Sequence, residues 1–207
     1  TVASLPSEPI PFELTVTANQ SAPYPYNRVL PLNITLSLNQ AGWPMNVGGA
    51  STSSAIIYNL DSDLDKEIII SEPAGIVHIL KPDGTTELDG FPLNLGSPIV
   101  GSIAMADVDY DGTMEFAASL QNNNIVLFNQ NGTILWTYPA GGILRNGTVI
   151  ASLAMDNTQQ VIAITQTGNL VVLNPDGTAY PNFPVSALGV CLGLPAIGDL
   201  NGDGHHE

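Results

Sequence analysis

The chain has 207 residues and a formal net charge of −15, from nineteen Asp and Glu against four Lys and Arg (Arg28, Lys66, Lys81, Arg145). Nucleic acids and anionic membranes are bound by clustered cations that displace counterions, so this composition excludes both as partners and weighs against a polyanionic substrate. No apolar run approaches the length of a transmembrane helix. Thr1-Val2-Ala3 opens no signal-peptide pattern, and the single Cys191 excludes an internal disulfide and reads as a small buried thiol.

Residues 1–42 form an N-terminal β-strand segment. Phe12 to Thr17 alternates as a strand, Ser21 to Asn27 is a Pro- and Tyr-rich loop, and Leu32 to Leu38 alternates more strictly. The second strand leads into Gly42-Trp43-Pro44 as Thr133 to Trp136 leads into Tyr138-Pro139. That parallel makes it the outer strand of a neighbouring or shared structural repeat.

The repeats occupy 43–207. Trp43-Pro44, Phe91-Pro92, Tyr138-Pro139 and Phe183-Pro184 recur at spacings of 48, 47 and 45 residues. Turns at Pro82-Asp83-Gly84-Thr85, Gln130-Asn131-Gly132-Thr133 and Pro175-Asp176-Gly177-Thr178 keep the same phase, as do acidic stretches at 59–67, 107–115 and 199–207. Three features sharing one period define a repeat protein, with units at about 43–90, 91–137, 138–182 and a partial 183–207.

Each unit reads as four short strands. An inner run (Ala55 to Ile57, Ser102 to Met105, Pro195 to Gly198) precedes each acidic stretch, and a second run follows it (Glu67 to Ile70, Glu115 to Ala118, Gln160 to Ala163). A polar turn then leads to a third run (Ile76 to Leu80, Ile125 to Phe128, Leu170 to Leu173). An Asp-Gly or Asn-Gly turn closes a hairpin into a fourth, such as Thr133 to Trp136. The expected fold is therefore all-β, a β-propeller of four-stranded antiparallel blades, with three blades and the start of a fourth.

The acidic stretches carry the chemistry. Asp107, Asp109, Asp111 and Glu115 stand at positions 1, 3, 5 and 9 of a loop whose sixth residue, Gly112, permits a sharp reversal. Thr113 at position 7 would add its carbonyl. Asp199, Asn201, Asp203 and Glu207 repeat the scheme around Gly204, and Asn59, Asp61, Asp63 and Glu67 repeat it with Leu64 in place of the glycine. In the third unit Ser152, Ala154, Asp156 and Gln160 keep one carboxylate, and no strong site is expected. Hard oxygen donors without thiolate or imidazole point to Ca²⁺, with Mg²⁺ the minor alternative. The competing structural reading is an Asx-rich turn that caps its own backbone. An EF-hand fits less well, because the closing acid falls at position 9 and strands flank the loop.

The pattern D-x-[DN]-x-D-G-x-x-E followed by a strand, at this spacing, resembles the FG-GAP or VCBS repeats of integrin-α-like β-propellers over residues 43–207. The resemblance implies calcium loops between the first and second strands of each blade. It assigns ligand roles to Asp107, Asp109, Asp111, Thr113 carbonyl and Glu115; to Asp199, Asn201, Asp203, His205 carbonyl and Glu207; and to Asn59, Asp61, Asp63, Asp65 carbonyl and Glu67. It further implies a secreted or cell-surface protein that binds partners or forms structure, usually without catalysis.

His78 reads as a half-exposed strand histidine, His205 and His206 as parts of a calcium loop, and Trp43 and Trp136 as blade-packing residues. No nucleophile–base pattern is present, and the Gly-Gly pairs at 48–49 and 141–142 lack a phosphate-loop pattern. Sequons occur at Asn19, Asn33, Asn131 and Asn146, the last two expected on exposed turns. The expected function is a non-enzymatic, extracellular adhesive or structural module with protein or glycan partners, other copies of itself included through strand complementation. The alternative is the propeller of a polysaccharide-active enzyme or an accessory domain of a larger surface protein.

Overall fold

A computed structural model describes residues 10–18, 26–34, 42–49, 51, 53–61, 63–84, 87–153, 158–186, 189–202, 204 and 206. The chain divides into two compact units, Thr1–Pro44 and Met45–Glu207. In the first, β1 (Ile10–Ala18) and β2 (Tyr26–Ile34) pair antiparallel in unbroken register from Ile10↔Ile34 to Ala18↔Tyr26. The expected strand at 12–17 lies within β1. The second strand begins earlier than expected, inside the stretch read as loop, and the expected residues 35–38 lie outside the described residues. Pro31 lies within β2 opposite Glu13, and among the described residues β1 is the one strand that pairs with β2.

Among its described residues the second unit contains three antiparallel sheets, each a meander in chain order. The first blade comprises β3 (Ile56–Tyr58), β4 (Glu67–Ser71), β5 (Ile76–Leu80) and β6 (Leu93–Asn94). The second comprises β7 (Ile99–Ala106), β8 (Glu115–Leu120), β9 (Asn124–Asn129) and β10 (Ile134–Pro139). The third comprises β11 (Val149–Ala151), β12 (Gln160–Ile164) and β13 (Leu170–Leu173). No helix occurs among the described residues. The architecture is that of β-propeller blades, and the sheets do not close into a ring.

Face-to-face packing explains why the middle strands are apolar runs rather than alternating ones. Successive side chains of a strand point to opposite faces. Phe116, Ala118, Leu120, Val126 and Phe128 project from the second blade into one core shared with Ile69, Val77 and Ile79 of the first. Ala117, Ile125 and Leu127 project the other way, into a core shared with Val161, Ala163, Val171 and Leu173 of the third. All six residues of β8 are consequently buried. Phe116 and Phe128 are directly paired across β8 and β9, with ring centroids 5.3 Å apart and nearly parallel planes.

The blades also dock through their turns. A Cβ on Gly132 would meet the Gly90 carbonyl oxygen at 2.5 Å, and Gly132 has φ +74°, so the Asn-Gly turn both needs and uses a glycine. The Trp136 indole, packed against the second core, donates from Nε1 to the Pro175 carbonyl at 2.8 Å, which makes it a blade-packing residue as expected.

Three sequence expectations are corrected. The outer strand is continuous in the second blade alone, with a bulge between Ile134 and Trp136. In the first blade it is the short β6 together with a bridge from Leu80 to Glu87, and in the third it is two bridges, Leu173↔Ala179 and Leu170↔Val185. Prolines at 92, 181 and 184 cannot donate to a ladder, which breaks these edges. Pro195 to Gly198, expected as an inner strand, forms none, since no described strand pairs with it. Cys191 is partly exposed rather than buried.

The face of the third blade turned away from the second is apolar. Leu153, Ile162, Leu170, Val172, Tyr180 and Phe183 line a groove of about 300 Å³ there, with Pro195 to Ile197 at its side. In repeat register, Ile162, Leu170 and Val172 correspond to Ala117, Ile125 and Leu127, which the second blade packs on the third.

Phe116→Ala removes a ring that is fully buried between two blades, and a loss of about 3–5 kcal/mol is expected in chemical denaturation of the chain.

Candidate metal centres in the acidic loops

The loops at 59–67 and 107–115 join the first and second strands of their blades, β3 to β4 and β7 to β8. One hydrogen bond recurs at the base of each. The backbone N–H at loop position 2 donates to the side-chain oxygen at position 9: Leu60 to Glu67 Oε2 at 2.7 Å, and Val108 to Glu115 Oε2 at 3.0 Å. The degraded third loop keeps it, from Leu153 N–H to Gln160 Oε1 at 2.8 Å. Glu67, Glu115 and Gln160 are correspondingly buried. Position 9 is thus first a clamp that holds two strand ends together. A glutamine serves that purpose as well as a glutamate.

The two residue types differ in the other side-chain heteroatom. Gln160 offers an amide N–H₂, which donates to Thr158 Oγ1 at 2.8 Å and cannot ligate a cation. Glu67 offers a second carboxylate oxygen, Oε1, which is buried without a hydrogen-bond partner. Asp61, Asp63 and Glu67 bring carboxylate oxygens within 4.8 Å of one another, as do Asp107, Asp109 and Asp111. An unpaired buried anionic oxygen beside two further carboxylates is costly unless a cation joins them.

The second loop is shaped by its own backbone. Asp107 accepts from Asp111 N–H at Oδ1 and from Gly112 N–H at Oδ2, at 3.0 and 2.9 Å. Asp111 Oδ1 accepts from both the N–H and the hydroxyl of Thr113, which holds its carboxyl below the usual range. Burial pushes Glu115 up instead, with the charges of Asp109 and Asp111 adding to the effect. In the 199–207 loop Gly204 N–H donates to Asp199 Oδ2 at 2.8 Å, as Gly112 does to Asp107, and both glycines have a positive φ. Its expected ligands Asp203, His205 and Glu207 lie outside the described residues, as does Asp156. Asn201 is described and exposed. In the first loop Leu64 is fully exposed and does not adopt a positive φ. There Asp61 Oδ1 accepts from Asp63 N–H, Asp63 Oδ1 accepts from Asp65 N–H, and the Asn59 amide donates to the Asp63 carbonyl.

Beside the first loop lies a polar pocket of about 360 Å³ that reaches Gln130 and Asn131 of the next blade's turn. A pocket of about 420 Å³ sits in the corresponding place between Asp109 and the turn at Asn174 to Asp176.

Several residues escaped the sequence reading. His78 is buried, not half-exposed: its Nε2 lies 2.8 Å from Glu72 Oε1 and its Nδ1 3.0 Å from Glu87 Oε1. Lys81 pairs with Asp61 at 2.8 Å. Neither arrangement follows the repeat period, so nothing in the spacing announced it. His206 is exposed, with Nδ1 3.0 Å from the Ser152 carbonyl. Asn131 stands on an exposed turn as expected, but the Asn146 Nδ2, the atom a glycan would occupy, is buried.

No family model matches the chain, and no curated protein matches it. Among solved structures, the chain is similar to BBS1N in complex with ARL6DN, in lead- and mercury-soaked crystals. The first match has 16% identity and TM-score 0.45 over 76% of this chain and 45% of that one; the second has 13% and 0.48 over 75% and 42%. It is also similar to BamB from Moraxella catarrhalis, at 15% identity and TM-score 0.33 over 68% of this chain and 50% of that one. The chain thus spans half or less of the length of these β-propeller proteins. Likenesses of this strength carry no inference about activity or partner.

Glu115→Gln keeps the clamp on Val108 and removes a buried charge. Because the folded-state carboxyl value is raised, the metal-free fold loses stability as pH climbs through that value. In chelator near neutral pH the variant is expected to melt at or above the parent temperature, and to show a smaller loss of stability as pH rises above the ordinary carboxylate range.

Proposed function

We propose that the chain is a calcium-stabilised β-propeller module of the FG-GAP or VCBS type, working outside the cell as a non-catalytic adhesive or structural surface. The observation that carries the proposal is the buried, unpartnered Glu67 Oε1 within the Asp61–Asp63–Glu67 cluster, on a loop frame repeated at 107–115. The donors are all hard oxygens, which suits Ca²⁺ over softer metals.

In the second loop the ligands would be Asp107, Asp109, Asp111, the Thr113 carbonyl and Glu115. In the first they would be Asn59, Asp61, Asp63, the Asp65 carbonyl and Glu67. Asp199, Asn201, Asp203, the His205 carbonyl and Glu207 complete the series. A bound ion would offset carboxylates that otherwise repel and would tie the first and second strands of a blade together. The aspartates at positions 3 and 5 are exposed in both described loops, which suits the weak affinity of extracellular calcium modules, about 10⁻⁴ to 10⁻³ M. Such sites fill only where calcium is plentiful, and this supports an extracellular setting. The apolar groove on the third blade supports a protein partner, a second copy of the chain among the candidates.

Thermal melting of the chain tests the proposal. Calcium at about ten times its dissociation constant is expected to add about 1.4 kcal/mol per filled site, and chelator to remove it. Asp109→Asn should lose part of that gain, and Asp61→Asn a separate part. A melt indifferent to both calcium and chelator overturns the reading.

A further inference from the structure

Position 3 of the two described acidic loops is held alike at one oxygen, Asp61 Oδ1 accepting from Asp63 N–H and Asp109 Oδ1 from Asp111 N–H, each at 3.3 Å, but the first loop adds a partner at the other oxygen. In the first, Asp61 Oδ2 is held by an ammonium group from outside the loop, Lys81 Nζ, at 2.8 Å. Lys81 follows β5, the strand beside β4, and this places its side chain against the open side of the loop. The charges of Asp63 and Glu67 also favour the ammonium form of Lys81. The pair stands at the surface, with side-chain exposures of 34% for Lys81 and 25% for Asp61.

Repeat register makes the contrast sharper. The residue of the second blade that corresponds to Lys81 is Asn129, which is neutral, and its Oδ1 caps its own turn by accepting from Asn131 and Thr133 N–H. The corresponding residue of the third blade, Asn174, is likewise neutral, and its amide donates to Thr178. A cation at this place in the repeat is therefore peculiar to the first blade.

We propose that Lys81 is a built-in counter-ion for the first loop, occupying Asp61 while the loop is metal-free and withdrawing when a divalent cation is held. The inference rests on the calcium reading of these loops. A cation at the cluster would share the Asp61 carboxylate with a like charge, and their repulsion sets the first loop to a weaker affinity. The loops then fill in order, 107–115 before 59–67, and Lys81 sets the gap between them.

The test is calcium titration of the whole chain by calorimetry in an Asp199→Asn background, which removes the 199–207 loop, with Asp109→Asn added to isolate the first loop and Asp61→Asn to isolate the second. Lys81→Met is expected to tighten the first loop about tenfold and leave the second unchanged, while Lys81→Arg keeps the parent affinity. In chelator, Lys81→Met is expected to lower the melting temperature, because the three carboxylates lose their counter-ion. An unchanged or weakened first loop in Lys81→Met overturns the displacement. An unchanged melt in chelator overturns the counter-ion role, whether or not calcium binds. A first loop that takes no calcium in either the parent or Lys81→Met overturns the calcium reading of that loop and the displacement with it.

Discussion

The second unit depends on burial of both faces of each middle strand. A blade four strands wide has too little apolar area to fold alone, and it gains enough only by sandwiching its neighbours. Phe116 and Phe128 on one side of the second blade, and Ile125 and Leu127 on the other, are the residues through which that sandwich is made. The constraint extends to the polar parts. Because the sheets lie face to face, whatever joins the first and second strands at their ends is drawn partly into the core. Glu67, Glu115 and Gln160 are buried for that reason.

This explains how one position can be structural and chemical at once. A side-chain oxygen at position 9 must accept the N–H of position 2, or a buried donor is left without a partner. With glutamine the requirement is met at no cost in charge. With glutamate a second oxygen is left: Glu115 Oε1 accepts from the Thr113 hydroxyl at 3.2 Å, whereas Glu67 Oε1 has no hydrogen-bond partner inside its acidic cluster and is costly without the company of a cation. The chain has supplied that company in two forms: the lysine present at the first loop, and the divalent ion proposed for both. The third loop has dispensed with it.

The blade strands were legible because two independent signals coincided. The second and third runs of each repeat, Glu67 to Ile70 and Leu170 to Leu173 among them, fall on observed strands because short apolar runs bounded by polar, Gly-containing turns have few alternative structures. The outer strands were not, since an edge strand packs against little and local proline decides whether it pairs at all. Leu32 to Leu38 shows the related difficulty. Its alternation marks a strand, but the partner register that moves β2 back to Tyr26 is set by pairing with β1.

The acidic loops were found by their spacing alone, since the ligand scheme is a local property of nine residues. His78, Lys81 and Glu87 were not, because their meetings join residues on different strands. By itself the sequence determined the repeat, the all-β class, the position of the turns and the carboxylate pattern, each of which arises from neighbours along the chain. Only the tertiary structure decided which glutamate oxygen is left unpartnered, which histidine is buried between carboxylates and which loop receives a lysine from a neighbouring strand. Those outcomes follow from strand pairing and blade stacking, which bring distant residues within hydrogen-bond distance, and no spacing along the chain encodes them.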